Sequence, residues 1–216
     1  MTDPLPFAVL ISGRGSNMLA LADAVRAGRI AGRIVGVISD RADARGLMAA
    51  AALGLPTQVL APAPAEDRAS YGRRLDAALA AAGAGLVALA GFMRILDGGF
   101  VRAWAGRSLN VHPSLLPAHR GLHTHRRVLE AGERWHGCTV HFVTEELDAG
   151  PAVIQGRLAV QPGDDEESLS ARVQRLEHII YPRAVGWFAA GRLAWREGAA
   201  WLDGQPLREP VIEELP

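Results

Sequence analysis

The chain has 216 residues, of which 49% are apolar and 21% charged, and this composition is typical of a folded globular protein and excludes a disordered one. Its 23 basic residues equal its 23 acidic residues, so no global positive charge is available to hold a nucleic acid or an anionic membrane, and we expect small-molecule partners. The single cysteine, Cys138, cannot form an internal disulfide, which favours a reducing compartment.

The first residues, MTDPLPFAVLISG, contain neither the basic segment nor the cleavage site of a secretory signal. No apolar run approaches the ~18 residues that a membrane span needs. We therefore expect a cytoplasmic protein with no membrane association, forming a single domain over residues 1–216.

Strand and helix signals alternate through the first 132 residues. An apolar run at 7–11 ends in the turn SGRGSN, and apolar side chains then recur at helical spacing up to Gly28. Runs such as LVALA are apolar without alternation, as in parallel strands that helices cover on both faces. The pattern predicts an α/β fold with an open, mostly parallel twisted sheet and helices on both faces. The further strands are predicted at 33–40, 56–60, 85–92 and 108–112, and the further helices at 44–54, 66–83, 98–104 and 123–132.

The pattern changes after Gly137. Residues 138–160 predict two longer strands joined by a polar loop, which indicates antiparallel strands added in the C-terminal part. A long helix is predicted after the acidic residues 164–167, with one apolar face made by Leu169, Val173, Leu176 and Ile180. Residues 193–207 predict a terminal hairpin.

Ligands bind open parallel sheets beyond the carboxyl ends of the strands. The polar and glycine-rich stretches of the chain fall at these ends, at 12–17, 39–40, 91–96 and 112–117. The first of them, GRGSN, offers main-chain N–H groups at a helix start, where a phosphate or carboxylate is stabilised; the alternative is an ordinary capped turn. Met18 stands where a dinucleotide fingerprint needs a third glycine, so we expect no nicotinamide cofactor.

Asn110 and His112 lie two residues apart in an extended segment and therefore face the same side. Together they can stabilise an oxyanion on a carbonyl, although a hydrogen-bonded strand end is an equal alternative from spacing alone. Asp148, in the loop LDAGP, is the candidate partner of the imidazole, or else a simple turn residue. His123 and His125 are two apart in a predicted helix start and do not share a face, so we expect no metal, and we assign His141 to the interior.

Six segments together resemble one family: LISGRGSN, GFMRIL, LNVHPSLLP, GLHTHR, VHFVTEELDAGPAVI and RVQRLEHIIYP. In this order they are similar to the phosphoribosylglycinamide formyltransferases, folate-dependent enzymes of purine synthesis, over nearly the whole chain. The resemblance implies a Rossmann-like formyltransferase fold and 10-formyltetrahydrofolate as co-substrate, with no metal. It also implies a nucleotide-binding half at about 1–110 and a folate-binding half at about 111–216.

The same resemblance implies roles for individual residues. The catalytic trio falls on Asn110, His112 and Asp148. The ribonucleotide contacts fall on Gly13, Arg14, Gly15, Ser16, Asn17, Gln174 and Glu177. The folate contacts fall on Arg68, Met93, Arg94, Ile95, Leu96, Asn110, Thr144, Glu145, Glu146, Leu147 and Asp148.

The sequence departs from the family pattern at two places, Arg14 in the glycine-rich turn and the pair His119–Arg120, where a more neutral pair is expected. The alternatives to formyl transfer to glycinamide ribonucleotide are a formyltetrahydrofolate deformylase and a non-catalytic folate- or nucleotide-binding module. A methionyl-tRNA formyltransferase is not expected, because that enzyme needs a basic surface for tRNA. We expect a monomer or a homodimer.

Overall fold

The computed structural model describes residues 3–214. The strands of the main sheet are β1 (Leu5–Ile11), β2 (Gly32–Ser39), β3 (Thr57–Val59), β4 (Leu86–Leu89), β5 (Ser108–His112), β6 (Trp135–Phe142), β7 (Ala152–Ala159) and β11 (Val211–Glu214). The helices are α1 (Ser16–Arg26), α2 (Arg45–Ala52), α3 (Arg68–Ala81), α4 (Gly98–Ala103), α5 (Thr124–Glu130) and α6 (Glu166–Ala189). A small second sheet contains β8 (Leu193–Arg196), β9 (Ala199–Leu202) and β10 (Gln205–Pro206).

The main sheet has eight strands in the order β11-β7-β6-β5-β4-β1-β2-β3. β6 is antiparallel to both of its neighbours, and the other pairings are parallel, so β6 alone runs against the direction of the sheet. The predicted α/β class and the antiparallel addition are therefore confirmed. The sequence patterns did not predict β11, which pairs in parallel with β7 at the edge of the sheet.

Helices cover both faces of the sheet, as the non-alternating apolar strands predicted. The larger apolar cluster packs α1, α2, α5 and α6 against one face, and a smaller cluster packs α3 and α4 against the other. Leu169, Val173, Leu176 and Ile180 are fully buried, so the predicted apolar face of the long helix is confirmed. That helix begins with a reciprocal capping box between Asp165 and Ser168.

β1 and β4 are parallel neighbours in the sheet, although β2 and β3 lie between them in the chain. Successive strands are added on one side of β1 up to β3 and on its other side from β4 onwards, so the order of the strands reverses between β1 and β4. The carboxyl ends of these two strands are joined, because the Ser12 N–H donates to the Gly91 carbonyl at 3.1 Å and the Met93 N–H donates to the Ser12 Oγ at 2.8 Å. The crevice at such a reversal is the usual ligand site of an open α/β sheet.

Within residues 3–214, no helix is both long and apolar enough to cross a membrane. Cys138 is a free thiol that lies fully buried on β6. Burial raises the pKa of this thiol well above its ordinary value, so the side chain serves packing rather than nucleophilic chemistry.

Candidate active site

A cavity of about 450 Å³ opens at the carboxyl ends of β4 and β5. All three residues of the predicted trio line it. Its walls come from the segment after β4, the segment before α5 and the loop before Asp148, and include Met93, Arg94, Ile95, Leu96, Leu122, Thr144, Glu145 and Leu147. A second, more open hollow of about 540 Å³ lies beside the small sheet and contains none of the trio.

His112 and Asp148 form the buried pair of the site. The Nδ1 atom of His112 lies 3.4 Å from Oδ2 of Asp148, and the two side chains are 7% and 8% exposed. The Nε2 atom of His112 lies 3.1 Å from the main-chain carbonyl oxygen of His119. Both ring nitrogens therefore face acceptors, an arrangement that only the doubly protonated imidazolium satisfies completely.

The main chain of Asp148 has an unusual conformation. Its φ is +50°, in the left-handed region that few non-glycine residues adopt. Its Oδ2 atom also accepts the Gly121 N–H at 3.0 Å. Gly150 is required nearby, because a Cβ atom there would lie 1.8 Å from the carbonyl oxygen of Phe142. Asp148 is thus held by the fold and by a hydrogen bond, and it is not a simple exposed turn residue.

Asn110 is oriented by His141, which lies directly opposite it on β6. Burial lowers the pKa of His141 to about 4, so the imidazole is neutral near pH 7. Its Nδ1–H donates to the Phe142 carbonyl at 2.9 Å, which leaves Nε2 to accept from the Asn110 amide at 3.2 Å. Because His141 is neutral, its separation of 3.7 Å from the Asp148 carboxylate is not an ion pair. The second N–H of Asn110 remains available to a ligand.

The glycine-rich turn lies on the other side of the β1–β4 junction. Gly15 precedes α1 with a φ of +76°, and a Cβ atom there would lie 2.8 Å from the Cα of Gly46 at the start of α2. The Gly46 N–H donates to the Gly13 carbonyl at 3.0 Å. The turn therefore needs glycine both for its backbone conformation and for the close approach of α2, while Arg14 is exposed beside it.

Four predicted ribonucleotide residues meet where α1 crosses α6. The Gln174 amide donates to the Ser16 hydroxyl at 3.0 Å, and the Asn17 amide donates to the Glu177 carboxylate at 2.7 Å. Burial raises the pKa of Glu177 to about 7, and the hydrogen bond from Asn17 lowers it in part. The Asn17 Oδ1 atom is buried and has no hydrogen-bond partner among residues 3–214.

The predicted folate residues divide into two groups. Most of them line the cavity, including Arg94, whose guanidinium lies 4.7 Å from the ring centroid of Tyr71. Arg68 and Glu146 do not line it. Arg68 is the exposed first residue of α3, and Glu146 forms an exposed ion pair with Arg120. A role for these two residues in folate binding stays a prediction.

Sequence reasoning missed several contributors to the site, including His141, Gly121 and the main-chain carbonyl of His119. His141, assigned to the interior, is buried but also lines the cavity and bonds Asn110. Gly121 supplies a main-chain N–H to Asp148, and no side-chain pattern could indicate this contact. The role of His141 follows from its position opposite Asn110 in the sheet, and this position is known only once β5 is paired with β6.

His125, which also lines the cavity, pairs with His136. His125 and His136 face each other with Nδ1 and Nε2 2.9 Å apart, and burial lowers the pKa of both, that of His136 to about 3. The part of the chain that the structure describes contains no group of three or more His, Cys, Asp or Glu side chains arranged to hold a metal ion.

A buried carboxylate–imidazole pair beside an oriented amide suits group transfer or hydrolysis at a carbonyl carbon. Residues 5–185 match the formyl transferase family, and the chain therefore belongs to that family. Phosphoribosylglycinamide formyltransferase of Escherichia coli (strain K12) is 50% identical over 92% of this chain and 94% of its own length. The solved phosphoribosylglycinamide formyltransferase of Coxiella burnetii matches with a TM-score of 0.92 and 46% identity, over 97% of this chain and 99% of that one.

The resemblance to phosphoribosylglycinamide formyltransferases that the sequence motifs indicated is thereby confirmed. The solved structure of a formyltetrahydrofolate deformylase of Pseudomonas syringae pv. tomato matches with a TM-score of 0.85 but only 23% identity. The match covers 92% of this chain and 66% of the deformylase chain. That likeness shows a common fold and nothing more.

Proposed function

We propose that the chain transfers the formyl group of 10-formyltetrahydrofolate to the amine of N1-(5-phosphoribosyl)glycinamide, as a cytoplasmic enzyme of de novo purine biosynthesis. The observation that carries the proposal is the convergence of Asn110, His112 and Asp148 at one cavity. This convergence distinguishes the site from that of a folate- or nucleotide-binding module, which has no need of a buried carboxylate–imidazole pair.

The reaction passes through a tetrahedral intermediate. The neutral amine of the ribonucleotide attacks the formyl carbon, a C–N bond forms, and the formyl oxygen becomes an oxyanion. The free N–H of Asn110 donates to this oxygen, and the positive charge of the His112 imidazolium, supported by Asp148, stabilises it further. The bond from carbon to N10 of the folate then breaks, and the proton lost by the amine moves to N10.

In this arrangement His112 stabilises the oxyanion by its positive charge and is not yet placed to donate a proton to the substrate. Its Nδ1 atom faces Asp148, and its Nε2 atom faces the His119 carbonyl. Direct donation to the oxyanion or to N10 therefore requires one of these contacts to be exchanged for the substrate or for a water molecule. The interaction of Asn110 with the oxyanion needs no such exchange, since His141 engages only one of its two N–H groups.

The two substrates occupy adjacent regions. The main-chain N–H groups of residues 13–17 hold the 5′-phosphate at the start of α1, and the exposed Arg14 adds a positive charge beside it. The unpaired Asn17 Oδ1 and the Glu177 carboxyl accept from ribose hydroxyl groups. The folate lies in the cavity, between residues 93–96 and residues 144–148. The N-terminal half, about 1–110, thus supplies most nucleotide contacts, and α6 from the folate-binding half completes them.

One assay tests the proposal. The protein is incubated with a 10-formylfolate donor, with and without the ribonucleotide, and the absorbance of the deformylated folate is followed. An increase that requires the ribonucleotide supports formyl transfer. An equal increase without it identifies a deformylase, and no increase under either condition leaves only a binding module.

A further inference from the structure

The segment His119–Arg120–Gly121, unusual in sequence, contacts both members of the buried pair through its main chain. The His119 carbonyl oxygen lies 3.1 Å from Nε2 of His112, and the Gly121 N–H donates to Oδ2 of Asp148 at 3.0 Å. A carbonyl only accepts and an N–H only donates, so the segment fixes the orientation of both side chains. The position of three consecutive residues therefore determines the geometry of the proposed catalytic pair.

Three side-chain contacts hold this segment. The Nε2 atom of His119 lies 2.6 Å from Oε1 of Glu133, in the turn between α5 and β6. Arg120 donates to Glu146, in the loop before Asp148, also at 2.6 Å. Arg127 on α5 donates to the Arg120 carbonyl at 2.8 Å. The segment is thus tied to the end of α5 on one side and to the loop that carries Asp148 on the other.

The backbone of the segment needs such anchors. His119 has a φ of +53°, and a non-glycine residue in this region costs roughly 1 kcal/mol or more. The two anchors that involve a carboxylate are unequal. The His119 side chain is 13% exposed, whereas the Arg120 and Glu146 side chains are 39% and 74% exposed, and solvent-exposed ion pairs contribute little. The contact of His119 with Glu133 is therefore the stronger of these two anchors.

We propose that His119 and Glu133 are positioning residues for formyl transfer, because their contact holds the His119 carbonyl against Nε2 of His112. This inference rests on the proposed function of the chain. Neither residue lines the cavity, so their effect reaches the site through the contacts of this segment with His112 and Asp148. Substitutions of these residues are expected to change kcat and to leave the KM for the ribonucleotide unchanged, since the glycine-rich turn and α6 are separate elements.

The test compares four full-length variants. His119→Leu and Glu133→Ala remove the contact, whereas His119→Gln and Glu133→Gln retain a donor and an acceptor of similar reach. We expect kcat to fall by about tenfold or more in the first two, since a displacement of ~1 Å can cost up to about 10²-fold. The glutamine variants are expected to retain most of the wild-type kcat. Glu133 is 41% exposed, so its alanine variant tests the contact with little effect on folding.

Asp203→Asn is the matched control. Asp203 forms a bidentate pair with Arg192 between α6 and the small sheet, away from the cavity, and its loss is expected to leave kcat unchanged. A second readout needs no turnover. The hydrogen-bonded Nε2–H proton of His112, observed by NMR, is expected to exchange slowly with solvent in the wild type and in both glutamine variants, and rapidly in His119→Leu and Glu133→Ala.

Equal kcat values in the leucine and glutamine variants, or slow exchange of the Nε2–H proton in Glu133→Ala, would overturn the proposal. If the wild-type protein has no transferase activity, the proposed function fails, but the exchange measurement still decides whether His119 and Glu133 position His112.

Discussion

Glu177 is a buried carboxyl on α6 whose ionisation opposes folding. Burial raises its pKa to about 7 in the folded protein, against an ordinary value of 4.5. Because the folded-state pKa is the higher one, the stability that the protonated carboxyl contributes is fully present below about pH 4.5 and is lost as the pH rises through about 7. At about 1.4 kcal/mol per pKa unit, this loss approaches about 3 kcal/mol in alkaline solution.

Glu177→Gln replaces the carboxyl by a neutral amide of the same shape that still accepts from Asn17. We expect the free energy of unfolding of the variant to exceed that of the wild type by only about 1 kcal/mol near about pH 5 and by about 3 kcal/mol near about pH 8. Urea unfolding followed by tryptophan fluorescence measures both values. Asp203→Asn, which removes an exposed carboxylate, is expected to keep the pH dependence of the wild type. An equal stability difference at both pH values would refute the reasoning.

Three further predictions concern the site itself. Asn110→Ala is expected to lower kcat by about 10²- to 10³-fold in the transferase assay, as for the loss of one oxyanion donor, and a wild-type kcat would exclude Asn110 as that donor. His141→Leu removes the acceptor that orients Asn110, so we expect about a tenfold loss of kcat, and a loss that varies between about pH 5 and 8 would contradict a neutral His141. Gly15→Ala forces a side chain at φ +76° toward Gly46, so we expect a higher KM for the ribonucleotide and a loss of about 1–3 kcal/mol in urea unfolding; unchanged values would show that the turn tolerates a Cβ.

The parts of the fold that local patterns specify were predicted correctly. Apolar runs without alternation indicated parallel strands, and helical spacing indicated the intervening helices. The position of the cavity followed from the rule that ligands bind at the carboxyl ends of parallel strands, which selected residues 91–96 and 112–117. Asp148 was a candidate from the sequence alone, but residues 144–147 could be added only from the family resemblance, because their sequence alone reads as a polar turn.

The contacts that set the chemistry depend on pairing and could not be read from one segment. Asn110 and His141 meet only because β6 pairs with β5 in one particular register. The edge strand β11 was missed, since a run of four residues with two glutamates has no strong strand pattern. Main-chain contacts such as that of Gly121 with Asp148 leave no signal in side-chain chemistry.

The reversed direction of β6 determines the path of the chain to Asp148. β6 runs against β5, so it ends beside Leu109, and the Val143 N–H donates to the Ser108 carbonyl at 3.1 Å. The connection to β7 therefore leaves the sheet near the start of β5 and must fold back to bring Asp148 to His112. A left-handed Asp148 and a glycine at 150 permit this return. A short hairpin would end before reaching His112, so the length of this connection is itself a requirement of the proposed catalytic pair.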